Sequence, residues 1–126
     1  FWEAVATYIP EWQLVRERKV SSGEVRAEYI HSHGIALQAL GHVGNALFLG
    51  EDPKWKERLK GLGKIDWSRS NVSLWEGRAM IGGRLSKANQ NVTLTVAAIK
   101  KALKIPLAPD EDRAEKILLS SRRKRA

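Results

Sequence analysis

The chain of 126 residues carries 22 Lys and Arg against 14 Asp and Glu, and its net charge of +8 favours anionic partners such as nucleic acid. A hydrophobic content of 43% indicates a globular domain, and the lack of cysteine excludes a disulfide framework and thiolate chemistry. No signal peptide is apparent, and no apolar run approaches the roughly 18 residues that a membrane-spanning helix needs. We therefore expect a cytoplasmic protein without a membrane partner.

Two short helices are predicted at the amino terminus. Apolar residues recur at helical spacing over residues 1–9, and Pro10 is suited both to end that helix and to start the next one. Phe1 and Trp2 would make a poor free terminus in water because both side chains are large and apolar. We therefore expect the chain to be a fragment of a longer protein.

The most regular helical pattern extends from Val25 to Leu47. Ser21 and Glu24 stand ahead of it with the spacing of a capping box. The pattern contains three glycines, each of which costs about 1 kcal/mol relative to alanine inside a helix. They indicate close helix contacts or a break near Gly34, so we expect either one long helix or a helical hairpin.

Three further helices are predicted towards the carboxyl terminus. Asp52 as cap and Pro53 as first residue predict a short basic helix that ends at Gly61 or Gly63. Asn91 is the predicted cap of the next helix, although the segment VTLTV taken alone suits a strand equally well. The segment PDEDRAEKILL begins the last helix, with acidic residues in the first turn where the helix dipole favours them.

These patterns predict an all-α protein with a single compact domain of about six or seven helices over residues 1–119. The segment 65–87 is expected to pack against the helical region 25–47. Residues 120–126 contain the run RRKR and are predicted to form a basic, disordered tail that attracts anions.

The segment IDWSRSNVSLWEGRAMIGGRLSK, residues 65–87, combines tryptophans, arginines and a glycine pair. In one interpretation the tryptophans belong to the core and Asp66 or Glu76 pairs with an arginine. In the other, at least two arginines bind DNA phosphates, to which the guanidinium group is well matched. The candidate nucleic-acid-binding residues are Arg69, Arg78, Arg84 and Lys87.

Catalytic and metal sites have little support in the sequence. Glu28, His31 and Asp66 would serve as acid, base and orienting group only if they converged in one cleft. His31 and His33 do not share a helical face, and no zinc-binding spacing, GxSxG elbow or phosphate-binding loop is present. We therefore expect no catalytic residue, no metal and no cofactor.

Three segments carry a resemblance to a known family: YIHSHGIALQALGHVG, residues 65–87, and NVTLTVAAIKKALKIPL. Together they resemble the carboxy-terminal part of DndB, the DNA sulfur modification protein B of the DGQHR family, over about residues 1–107. The resemblance implies a component of the bacterial Dnd system, which replaces a non-bridging phosphate oxygen of DNA with sulfur. It implies binding to double-stranded DNA and regulation of transcription of the modification genes, and not the sulfur transfer itself.

The same resemblance implies other Dnd proteins as candidate partners, and a second copy of the chain is a further candidate, with the oligomeric state left open. The name-giving DGQHR motif is absent from this chain. Its absence leaves two interpretations open: these residues contact DNA, or they support another domain that does. The alternative function is thus a helical protein-interaction or oligomerisation domain, since tryptophan and arginine are also enriched at protein interfaces.

Overall fold

The computed structural model describes residues 1–125, and the side chains of residues 1–123. The described part contains eight α-helices, one 3₁₀ helix and one short β-hairpin, so the all-α prediction is confirmed, with more helices than the six or seven expected. The elements are α1 (Trp2–Thr7), α2 (Pro10–Arg16), α3 (Ser22–Glu28), α4 (Gly34–Leu49), α5 (Trp55–Arg58), a 3₁₀ helix (Leu59–Lys64), α6 (Val72–Trp75), β1 (Met80–Ile81), β2 (Arg84–Leu85), α7 (Asn89–Leu103) and α8 (Pro109–Arg125).

Two helices, α3 and α4, replace the single long helix that was one alternative for residues 25–47. The Ser21 hydroxyl accepts a hydrogen bond of 3.1 Å from the Glu24 amide, which caps α3 as predicted. Between the helices, the chain pairs with the segment that follows the 3₁₀ helix, where the Ile30 amide donates to the Trp67 carbonyl at 2.8 Å. This pairing packs the beginning of segment 65–87 against the break between the two helices.

Two predicted helix starts are wrong. Asp52 does not cap a helix beginning at Pro53, because its carboxylate binds the Lys54 amide in a tight turn and the Arg58 side chain, and α5 starts at Trp55. Asn91 lies inside α7 rather than at its cap. Its buried amide donates to the Arg78 carbonyl at 2.7 Å.

The core lies around α7, which packs against α4, α8 and the 3₁₀ helix. The segment VTLTV is helical, as predicted, because it belongs to this central helix. Gly61 lies so close to the end of α7 that a β-carbon there would stand 2.8 Å from the Ala102 carbonyl oxygen. The largest fully buried apolar side chains are Trp75, Ile9, Ile30, Ile35, Leu40, Leu59, Leu62, Met80 and Ile99.

The predicted disordered tail is helical as far as it is described, because α8 continues to Arg125. The Arg122 guanidinium donates to the Glu76 carbonyl at 2.6 Å, which fixes this part of α8 to the turn after α6. Ala126 and the side chains of residues 124 and 125 lie outside the described residues. A domain boundary at residue 119 stays a prediction. Along the described chain, no helix is both long and apolar enough to cross a membrane.

Candidate nucleic-acid interface

Trp67 and Trp75 belong to the core, as one interpretation of segment 65–87 predicted. Their rings stack with centroids 5.3 Å apart, and they are 5% and 0% exposed. Both indole nitrogens are satisfied: Trp67 donates to the Leu62 carbonyl at 3.1 Å and Trp75 to the Asp66 carbonyl at 2.9 Å. Both tryptophans can be buried without an unpaired polar group because each indole N–H donates to a backbone carbonyl.

Arg78 is also part of the interior. It is 3% exposed, and its guanidinium donates to both carboxylate oxygens of Glu115 on α8, with the Nη2–Oε2 distance at 2.8 Å, and to the Leu94 carbonyl. The carboxylate that pairs with Arg78 is therefore that of Glu115. It is not that of Asp66 or Glu76, because these two carboxylates accept hydrogen bonds from backbone amides. Arg78 does not reach the surface where DNA would be contacted.

The Arg78 guanidinium lowers the pKa of Glu115 to about 2, outweighing the effect of burial, and a further bond from Lys101 acts in the same direction. A carboxyl pKa that is depressed in the folded state stabilises the fold above the unfolded-state value and loses this contribution as pH falls.

We therefore expect the free energy of unfolding to decrease as pH falls from about 4.5 towards 2, with Glu115 contributing about 3 kcal/mol of that loss. Urea unfolding across this pH range measures the slope. Glu115→Gln has no titratable group at this position and should show a shallower slope. An unchanged slope in that variant would contradict the assignment.

The β-hairpin carries Arg84 outward from this interior. Its strands pair Met80 with Leu85 and Ile81 with Arg84, and both glycines of the connecting turn have positive φ, +60° at Gly82 and +78° at Gly83. Both central residues of such a turn need a positive φ, which glycine adopts without strain. The two oxygens of the Glu76 carboxylate accept from the two glycine amides, each at 2.8 Å, so the turn is fixed by the chain itself.

Three predicted cations, Arg69, Arg84 and Lys87, lie along one edge that we call the basic edge. Arg84 and Lys87 are exposed, and the Arg69 guanidinium reaches the turn, with its Nη2 3.4 Å from the Gly83 carbonyl oxygen. The Lys87 Cε lies 3.2 Å from the place where a β-carbon on Gly34 would stand. Among the side chains of residues 1–123, none of the three forms a salt bridge with a carboxylate.

The basic edge adjoins the amino-terminal end of α4. Gly34 is the first residue of this 16-residue helix, and the cap residue His33 makes no side-chain capping bond. The ring of His33 instead bonds the Arg26 carbonyl at 2.6 Å, and burial lowers the pKa of His33, so the ring is neutral near pH 7. A lysine beside the positive end of a helix dipole is unfavourable unless an anion is present. The local field therefore favours an anionic ligand.

The hydrogen bonds of the described side chains do not join the three candidate catalytic residues. His31 is fully buried, and its ring nitrogens bond Glu11 at 2.8 Å and Ser32 at 3.0 Å, while the ring stacks on Tyr29. Burial lowers the pKa of His31. Asp66 accepts from the Ser68 amide, and the structure records no hydrogen bond joining Glu28, His31 and Asp66 among the described side chains. No group of three potential metal ligands occurs in the described part of the chain.

A family model described as DndB, DNA-sulfur modification-associated, matches residues 1–106, which include the basic edge and the hairpin. No curated protein and no solved structure is significantly similar to the chain. The match covers most of the sequence and agrees with the resemblance carried by segment 65–87 and its neighbours. The chain therefore belongs to the DndB family of proteins associated with DNA sulfur modification.

Proposed function

We propose that this chain is a DNA-binding regulatory component of the bacterial DNA sulfur modification system, acting in the cytoplasm on transcription of the modification genes. Its ligand is double-stranded DNA, and other Dnd proteins or a second copy of the chain are its protein partners. The observation that carries the proposal is the basic edge, where three cations lie together without a carboxylate partner among the described side chains.

Each cation of the basic edge is positioned by a different element. Arg84 stands on the hairpin, Arg69 lies against its turn, and Lys87 lies at the start of α4. Contacts of this kind to phosphate oxygens supply affinity and orientation, and they leave the choice of sequence to other groups. Arg78 has a separate role in this proposal, because it holds α8 to the domain.

We also propose that the chain is not an enzyme and needs no cofactor. The support is that His31 serves as a packing residue, with both ring nitrogens engaged by neighbouring side chains. A buried imidazole between aromatic rings has no free nitrogen with which to receive a proton from a substrate.

The test is fluorescence anisotropy with a short duplex over a series of salt concentrations. For the wild type we expect log affinity to fall linearly with log salt. For Arg84→Ala and Lys87→Ala we expect this fall to be shallower, with the magnitude of the slope smaller by about 0.9 in each variant, because one phosphate contact is lost. Lys60→Ala is the matched control. It removes an exposed lysine from the 3₁₀ helix at the other end of α7, about 22 Å away along a helix of 15 residues.

A wild-type chain that ignores DNA at low salt would overturn this function and favour the interaction-domain alternative. That alternative has its own observation: Phe48 and Leu49 at the carboxyl end of α4 are 52% and 77% exposed, and Phe1 packs against both Phe48 and the 47% exposed Trp2. Exposed aromatic and aliphatic residues in one area are typical of protein contact surfaces. If Arg84→Ala and Lys60→Ala both keep the wild-type slope, DNA binds away from the basic edge.

A further inference from the structure

The tip of the hairpin presents an apolar side chain beside a cation. Ile81 and Arg84 are directly paired, so their side chains stand on the same face of the hairpin, while Met80 faces the core. Ile81 is 57% exposed, and a pair of this kind has β-carbons about 5 Å apart. A group bound by the Arg84 guanidinium would therefore also touch the Ile81 side chain.

The apolar surface at Ile81 continues into a groove. Ile81 and Gly82 form one wall of a cleft of about 730 Å³ between the hairpin, α6 and α8, and its other parts are lined by Val72 and Leu118 together with the polar side chains of Ser73, Ser121 and Arg122. The only carboxylate lining this cleft, among the described residues, is that of Glu76, which the turn amides already engage. The tip thus offers a cation on one side and the exposed apolar side chain of Ile81 on the other.

A DNA phosphate in which sulfur replaces one non-bridging oxygen has two different faces. Its charge is retained, and the remaining oxygen still accepts hydrogen bonds from a guanidinium. The sulfur is larger and more polarisable, accepts hydrogen bonds poorly, and gains more from apolar contact than oxygen does. Such a group matches a site with an arginine and an isoleucine side by side.

We propose that the hairpin tip binds sulfur-modified DNA phosphates in preference to unmodified ones, with Arg84 on the oxygen and Ile81 against the sulfur. This rests on the proposed function, because it assigns a ligand to the same basic edge. The two non-bridging positions of a phosphate are not equivalent, so a rigid tip prefers one stereoisomer of the modified linkage. Rigidity comes from Glu76, which fixes the turn between the two residues.

The test compares three duplexes of one sequence: unmodified, and with a single phosphorothioate linkage as each separated diastereomer. We expect the wild type to bind one diastereomer about threefold to tenfold more tightly than the unmodified duplex, the gain that a single apolar contact gives. Ile81→Ser should abolish the preference, so that the variant binds all three duplexes with equal affinity, and it should remain folded because an exposed side chain rarely decides folding. Leu49→Ser, an exposed apolar residue at the far end of α4, is the control and should keep the preference.

Arg84→Ala tests DNA binding separately from the preference for sulfur. It should weaken binding to all three duplexes alike, whereas Ile81→Ser should remove only the preference. Equal wild-type affinity for modified and unmodified DNA would overturn the sulfur preference and leave the proposed function standing. A preference that survives Ile81→Ser would overturn the role of Ile81. Failure to bind any of the duplexes at low salt would overturn the proposed function and this inference together.

Discussion

Glu115→Ala is expected to lower the free energy of unfolding by about 3–5 kcal/mol, because it leaves the Arg78 guanidinium buried without its counter-charge. Arg78 and Glu115 are 3% and 4% exposed, so water cannot replace the lost carboxylate. Urea unfolding of the wild type and the variant at neutral pH measures the difference.

Asp112→Ala is the matched control for this experiment. It removes another α8 carboxylate, one that pairs with Lys116 in an exposed ion pair, and should cost at most about 1 kcal/mol. Replacing both Arg78 and Glu115 with leucine should recover part of the loss, because no buried charge is then unpaired. A loss below about 1 kcal/mol for Glu115→Ala would show that the pair does not hold α8 in place.

Trp75→Ala is expected to lower the free energy of unfolding by about 3–5 kcal/mol, as large-to-small changes at fully buried aromatic residues do. The side chain is 0% exposed and stacks on Trp67 at the point where segment 65–87 enters the core. The hairpin that follows would lose its anchor. Thermal and urea unfolding measure the effect.

Two variants resolve the Trp75 contribution. Trp75→Phe keeps an aromatic ring but removes the indole donor to the Asp66 carbonyl, which still accepts from the Asn71 side-chain amide at 2.9 Å. We therefore expect a loss of about 1–2 kcal/mol from the missing hydrogen bond and the smaller ring. Val72→Ala, at a 57% exposed position of the same short helix, should change stability by no more than about 0.5 kcal/mol. Similar losses for Val72→Ala and Trp75→Ala would contradict the central role of the indole.

Three local signals in the sequence predicted local structure correctly, although those at Asp52 and Asn91 did not. Pro10 does begin α2, Ser21 does cap α3, and the break near Gly34 is present, because each depends on residues a few positions apart. The helical alternative for VTLTV is confirmed, although its composition suits a strand. Burial within the core decided that segment, and burial depends on distant partners that propensity does not show.

The contacts that the sequence did not predict join residues that are far apart in the chain or positioned by tertiary structure. Arg78 and Glu115 are 37 positions apart, and no spacing rule connects an arginine of the middle segment with a carboxylate of the last helix. Glu76 precedes the diglycine turn by six and seven positions, and only the backbone path places its oxygens on the two amides. Asn91 has a residue type that favours a cap, and the tertiary bond to the Arg78 carbonyl placed it inside the helix instead.

The bond from Glu76 to the diglycine turn also bears on how affinity arises. Glycine has the widest conformational freedom of all residues, and two in sequence would ordinarily lose that freedom when a ligand orders them. Here both glycine amides are already held by one carboxylate in the isolated chain. The conformational entropy of the turn is therefore lost during folding and not on association, so a ligand that meets Arg84 encounters a surface already in its binding geometry.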